Sequence, residues 1–248
     1  MAEQLYDTIG EGYASARRAD ADFERQIHDC LGPGRRVLNI GAGTGNYEPL
    51  DRDVVALEPS MAMLTQRTNG VPVVQGVAEH LPFADDSFDV AMGVLTVHHW
   101  PDRTAGLREA RRVAKRQVFI VYELGVTAGF WFHEFWPTVA TAGWEIDAPT
   151  PEELGRTLDV IDVRPWLVSA TCTDGVTGAY WNRPERYLDP IVQRSMSTFA
   201  RLDPDERAEG NERLRVALDD GSWDARFGHL RAETHLDIGY RLVIAQNG

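Results

Sequence analysis

The sequence predicts an α/β fold built on a mostly parallel sheet with helices on both faces. Three observations carry that reading. Short apolar runs recur along the first half of the chain, helical patterns alternate with them, and no repeat or long linker breaks the series. A strand buried on both faces reads as a continuous apolar run, and these runs have that form.

In order, residues 19–30 place Ala21, Phe23, Ile27 and Cys30 at helical spacing, and Gly32-Pro33-Gly34 stops that helix. Arg36 to Ile40 is the first strand, followed by the turn Gly41-Ala42-Gly43-Thr44-Gly45. Asp53 to Leu57 is the second strand, ending at Glu58, and Ser60 is placed to cap a short helix through Arg67. Val71 to Gln75 and Phe88 to Leu95 read as the third and fourth strands. Thr104 to Ala114 is an amphipathic helix with Asp102 as its expected cap, and Gln117 to Tyr122 is the fifth strand. Leu158 to Val163 begins a sixth strand that continues towards Thr171, residues 183–222 look helical, and Leu236 to Ala245 forms a final strand. One domain over residues 1–248 is expected, with a core at 35–125 and inserts at 126–150 and 176–235. Inserts on a rigid scaffold are where specificity usually sits.

The 248 residues are 43% hydrophobic and 25% charged, enough for a sizeable core and unlike a disordered chain. Their net charge of −13 argues against a nucleic-acid partner or an anionic membrane, both of which need a cationic face. Two cysteines, Cys30 and Cys172, are too few for a disulfide framework or a zinc ribbon, and no metal-ligand cluster is apparent. The start, Met1-Ala2-Glu3-Gln4, is not a signal peptide, and the apolar stretch Val118 to Phe132 is broken too soon to span a bilayer. A cytoplasmic location is the expectation.

The glycine turn carries the chemistry. Glycine permits positive φ and lets a ligand approach the backbone without a Cβ in the way. In an open α/β sheet this turn lies at the carboxyl edge of the first strand, where ligands bind. Glu58, 17 residues after Gly41, is placed to accept hydrogen bonds from both hydroxyls of a ribose. A dinucleotide fingerprint, G-x-G-x-x-G from Gly41, would need a third glycine where Asn46 stands. Pro49 and the seven residues between Gly45 and Asp53 leave room for no more than one helical turn to meet a pyrophosphate. A nucleoside cofactor without phosphates suits the site better than a nicotinamide dinucleotide.

The stretches Val37 to Gly45, Leu57-Glu58-Pro59-Ser60-Met61, and Gly76 to Phe83 with Ser87-Phe88-Asp89 resemble class I S-adenosylmethionine-dependent methyltransferases, especially the ubiquinone/menaquinone-biosynthesis type. The resemblance covers roughly residues 1–125. It implies a Rossmann-like sheet of seven strands with the last antiparallel, S-adenosyl-L-methionine as cofactor, and S-adenosyl-L-homocysteine as product. It places Asn39, Gly41, Ala42, Gly43 and Gly45 against the methionine portion and Glu58 and Pro59 at the ribose. Ala78 and Glu79 then lie beside the adenine, Met61 covers one of its faces, and Val94 and Leu95 line the cofactor from the fourth strand. Tyr6, Tyr13 and Arg17 resemble the family's helical lid. Two positions depart from the pattern: Asn39 stands where the family usually has an acid that holds the amino group, and Val77 where it often has Asp. An Asn carbonyl can accept a hydrogen bond but contributes no charge.

Methyl transfer is an in-line displacement, so holding nucleophile and methyl in near-attack geometry supplies much of the catalysis. A base is needed only for a hydroxyl, phenol or carbon acid. His98 and His99 follow the fourth strand, and His98 is the candidate base, with packing of the loop as the plainer role for the pair. His133 is a second candidate. The run Phe130 to Trp136 holds five aromatics in seven residues. Trp131, Phe132, Phe135 and Trp136, with Tyr180 and Trp181, are expected to wall a pocket for a small apolar or aromatic acceptor, or else to form core. Cys172 reads as a packing thiol and Asp174-Gly175 as a turn. The alternatives to small-molecule methyl transfer are methylation of tRNA or protein, and a cofactor-binding subunit or scaffold without activity.

Overall fold

The computed structural model describes residues 19–142 and 147–248. Its first helix, α1 (Ala21–Cys30), starts at Asp20, whose carboxylate accepts the N–H groups of Asp22 and Phe23, and it buries Phe23, Ile27 and Cys30 on one face. Gly32, at φ +67°, turns the chain into the sheet. The strands are β1 (Arg36–Ile40), β2 (Asp53–Glu58), β3 (Val73–Gln75), β4 (Phe88–Val94), β5 (Ala114–Tyr122), β6 (Val160–Pro165), β7 (Val168–Ser169), β8 (His235–Leu236) and β9 (Tyr240–Gln246). Seven of them form one sheet in the order β3-β2-β1-β4-β5-β9-β6. Leu38 pairs with Val55 and Ala91 in parallel, and Met92 with Val118, whereas β9 runs antiparallel to both β5 and β6. The expected sheet, seven strands with the last antiparallel, is therefore the observed one.

Adjacent residues of β1 explain why the strands are apolar throughout. Val37 and Leu38 are both fully buried yet belong to different cores. Leu38 joins Phe119, Leu107, Ala110 and Val113 under α3 (Arg103–Val113), which Asp102 caps through the Ala105 N–H at 2.9 Å. Val37 joins Phe23, Ile27, Met92 and Ile120, and this second core extends into the helices between β5 and β6 and between β7 and β8, except that Leu154, in the last helix before β6, joins the first core. Those helices are α4 (Leu124–Thr127), α5 (Phe132–Phe135), α6 (Pro137–Thr141) and α7 (Pro151–Gly155), then α8 (Pro190–Ser195), α9 (Ser197–Arg201), α10 (Pro204–Asp219) and α11 (Ser222–Phe227). The short helix between β2 and β3 is α2 (Met61–Leu64).

Several boundaries differ from expectation. The stretch from Thr44 to Arg52 is no such difference: it forms turns and no helix, within the single turn expected where Pro49 follows so closely on the glycines. The helix capped by Ser60 ends at Leu64 rather than Arg67. The helical region at 183–222 is broken by Pro184, Pro190 and Pro204, each opening a new helix. The final strand starts at Tyr240, since Leu236 pairs instead with Val168 and Gly239, at φ +97°, bends the chain between the two.

Candidate active site

The carboxyl edges of β1, β2 and β4 open onto a cavity of about 310 Å³. At β1 the turn is pinned from beneath, for the N–H groups of Gly41 and Ala42 both donate to the Leu57 carbonyl at 2.8 and 3.0 Å. Gly41 sits at φ +69°, and a Cβ there would lie 1.9 Å from Thr96 Oγ1, so no other residue fits. Gly43, at φ +52°, faces open space instead: a Cβ would meet no protein atom within 4 Å. The turn is therefore held tightly on the protein side and left bare on the cavity side.

Glu58 closes β2 against this turn. Its Oε2 accepts the Gly43 N–H at 2.8 Å and its Oε1 the Ser60 N–H at 2.9 Å. Burial raises its pKa, while those two hydrogen bonds and the Arg67 charge oppose the rise. Asn39 is buried and donates to Glu48 Oε1 at 3.1 Å. Glu48 is itself fully buried, with Arg67 at 2.7 and 2.8 Å on its two oxygens and Asn69 at 2.6 Å. The negative charge that β1 lacks thus lies one layer behind Asn39, neutralised by a guanidinium.

Of the expected cofactor residues, Asn39, Gly41, Ala42, Gly43, Glu58, Pro59, Ala78, Glu79, Val94 and Leu95 all line this one cavity. Gly45 does not line it but lies beside Asn69 and Glu48. Met61 is 56% exposed and points away, and Met63 lines the cavity in its place. The reason is the helical phase: Ser60 caps through the Met63 N–H, which turns the third residue of the helix inward. Tyr6, Tyr13 and Arg17 lie outside the described residues.

Beyond Val94 the chain turns through Leu95, at φ +51°, into a 3₁₀ turn over Val97–His99. Tyr47, at φ +65°, is strained on the opposite wall. Two of the three non-glycine residues with positive φ among the described residues therefore line the cavity, as strain stored at functional sites predicts. Tyr47 donates to buried Asp174 at 2.5 Å, and Asp174 Oδ1 accepts the Gly175 N–H at 2.7 Å, which fixes the wall formed by Gly175, Val176 and Thr177.

His98 and His99 both line the cavity, their rings 3.8 Å apart, and His98 lies 5.8 Å from the ring of Tyr122. Burial above all, then neighbouring charge, holds the His98 pKa well below the usual imidazole value, and His99 falls to about 4. Both rings are neutral at pH 7. His98, Tyr122, Thr177, Ser197 and Tyr240 also line an adjoining chamber of about 50 Å³ that holds Phe130, His133 and Arg201.

The aromatic run is differently used from the expectation of a pocket wall. Trp131, Phe132, Phe135, Trp136 and Trp181 are buried in the second core, and none lines the cavity or its chamber. Trp131 donates from its indole to the Trp181 carbonyl at 2.8 Å, while Phe132 stacks on Trp136 at 4.5 Å and packs against Tyr187 and Phe199. Tyr180 faces Arg183 and Arg186 instead. Only Phe130 and His133 of the run reach the chamber. Cys172 is a packing thiol, its pKa pushed up to about 12 chiefly by burial. Tyr47, Met63, Tyr122, Thr177, Ser197, Arg201 and Tyr240 were not among the expected site residues. Tyr122 alone carries a sequence signal, as the last residue of the fifth strand.

Residues 38–122 match the model of a methyltransferase domain family. The chain carries a methyltransferase domain over those residues. It is 40% identical over 124 residues to the demethylmenaquinone methyltransferase of Corynebacterium kroppenstedtii, covering 45% of this chain and 54% of that protein. It is 34% identical over 95 residues to the chloroplastic 2-methyl-6-phytyl-1,4-hydroquinone methyltransferase 1 of rice, covering 33% and 28%. The chain thus spans about half or less of the length of these curated relatives. A solved structure from Anabaena variabilis, described as a methyltransferase from an antibiotic biosynthesis pathway, superposes with a TM-score of 0.85 at 26% identity, over 93% of this chain and 99% of that one. Within the methyltransferase domain the bare glycine turn and the buried acid at the end of β2 fit a phosphate-free nucleoside cofactor. Among the described residues there is no cluster of three or more metal-ligating groups, and no helix is long and apolar enough to cross a membrane.

Proposed function

We propose that the full chain transfers a methyl group from S-adenosylmethionine to a small acceptor, with the cavity of about 310 Å³ as the place where it does so. The observation that carries this reading is Glu58, a buried carboxylate on the cavity wall that is tied to the glycine turn at Gly43. When bound, the cofactor supplies a methyl group on a positively charged sulfur. Asn39, Gly41, Ala42 and Gly43 would hold its methionine end, Glu58 and Pro59 its ribose, and Ala78, Glu79 and Met63 its adenine. Val94, at the end of β4, and Leu95 would support it from the cavity wall.

The acceptor enters from the side of His98 and Tyr122, where the cavity meets the smaller chamber. The work of the chain there is positional: it orients the nucleophile and excludes water. Neutral His98 has a lone pair that can take a proton from a hydroxyl acceptor, with His133 further along the same wall. Titration calorimetry of the full chain tests the reading. One S-adenosylmethionine per chain and no NADH is the expected result, and NADH binding in its place would overturn it.

A further inference from the structure

Asn39 meets the cavity through an amide whose orientation is decided from behind. Its Nδ2 donates to Glu48 Oε1 at 3.1 Å. Glu48 accepts further bonds from Arg67 Nη2, at 2.7 and 2.8 Å on its two oxygens, and from Asn69 Nδ2 at 2.6 Å. A carboxylate held in this way offers Asn39 only an acceptor, so the amide turns its NH2 group towards Glu48 and its carbonyl the other way. Asn39 lines the cavity and Glu48 does not. Asn39 Oδ1 accepts from no group among the described residues and is not sealed inside the protein, so it opens onto the cavity.

The other donors to Glu48 have second anchors. Arg67 Nη1 donates to the Gly43 carbonyl at 3.1 Å, and Asn69 Oδ1 accepts the Val71 N–H at 3.2 Å. The Asn39 amide has Glu48 alone among the described residues. A change in the hydrogen-bonding character of Glu48 is therefore passed to Asn39 rather than to Asn69.

We propose that Glu48 is a positioning residue for the cofactor: it holds the Asn39 carbonyl towards the cavity, and that carbonyl receives the ammonium group of the cofactor's methionine end. The inference rests on the S-adenosylmethionine reading of the cavity. The ammonium is the one cationic donor on that cofactor. Its carboxylate would be repelled by a carbonyl oxygen, and its sulfonium has no hydrogen to donate. The charge in this contact comes from the ligand alone, because Arg67 neutralises Glu48 one layer back. Glu48→Gln keeps the shape and removes the instruction. The new NH2 group can face Asn39, whose amide then turns its own NH2 to the cavity and meets the ammonium donor to donor.

Calorimetry on the full chain tests this with three probes. They are S-adenosylhomocysteine, the same molecule with its amino group replaced by hydrogen, and methylthioadenosine, which lacks the whole amino-acid end. Wild type is expected to bind S-adenosylhomocysteine at least about tenfold more tightly than the deaminated probe, the scale of one hydrogen bond to a charged group. Glu48→Gln and Asn39→Ala should each reduce that ratio to about threefold or less while methylthioadenosine binds as in wild type. Where Glu48→Gln does not fold, Glu48→Met with Arg67→Met, which buries no charge, takes its place and should lose the ratio too. Each protein is its own reference across the probes, so a general loss of stability leaves the ratio untouched. Equal binding of the first two probes by wild type would overturn the proposal alone, as would a ratio that survives in Asn39→Ala, in Glu48→Gln or in the double variant that replaces it. Failure of all three probes to bind wild type would overturn the cofactor reading and the proposal with it.

Discussion

Glu58 Oε2 accepts the backbone N–H of Gly43 at 2.8 Å, so the acid that ends the second strand also holds the turn that ends the first. Removing that carboxylate both frees the turn and deletes the proposed ribose contact. Glu58→Ala is expected to weaken S-adenosylmethionine binding by about 2–3 kcal/mol, a loss of 30-fold or more. Glu58→Gln keeps an acceptor and should lose less. Calorimetry on both variants checks the order, and equal affinity in all three proteins would mean that the cofactor lies elsewhere.

The two glycines of the turn should respond differently to a methyl group. Gly41→Ala drives a Cβ into Thr96 and is expected to destabilise the fold by more than the ~1–2 kcal/mol of a left-handed backbone alone. Gly43→Ala meets no protein atom, so its cost to the fold stays near that figure while its effect on cofactor affinity is the larger one. Urea denaturation beside cofactor titration separates the two.

Arg67 and Glu48 form an ion pair with side chains 5% and 0% exposed. Arg67→Met leaves the Glu48 carboxylate buried without its cation and should cost about 3–5 kcal/mol. The double variant Glu48→Met with Arg67→Met should recover part of that loss, since it buries no charge. Chemical denaturation measures both; a double variant less stable than the single one would contradict the assignment of Arg67 as the neutralising partner.

The paired histidines give stability a pH dependence. The folded pKa of His99 is lowered from 6.5 to about 4, so between those values the unfolded chain binds more protons than the folded one. Stability from this source is complete above pH 6.5 and is lost as pH falls towards 4. About 2 kcal/mol is the scale for a ring that is only partly covered. His99→Asn should narrow the fall in melting temperature from pH 7 to pH 5, and an unchanged fall would locate the pH dependence elsewhere.

Much of this molecule is legible in its sequence, and the parts that are not share a cause. The apolar runs at Arg36–Ile40 and Gln117–Tyr122 identify themselves because both faces of those strands are covered, whereas the start of β5 at Ala114–Arg116 carries no such signal. The glycine turn and Glu58 are readable because their roles depend on backbone and strand end, which are local. The aromatic run at 130–136 is a different matter. Whether Trp131 and Trp136 face a pocket or a core depends on Tyr187, Phe199 and Trp223, which reach them from 50 or more residues away. Arg201 and Ser197 reach the chamber by the same long-range packing, and no spacing announces them. Met63 in place of Met61 is a matter of helical phase over one turn.

The most direct measurement is a crystal structure of the full chain with S-adenosylhomocysteine bound. The ribose hydroxyls should lie within hydrogen-bond distance of Glu58, the methionine end against Gly41 and Gly43, and the sulfur should face the opening beside His98. A ligand bound away from Glu58 would contradict the assignment of this cavity, whatever activity the protein shows.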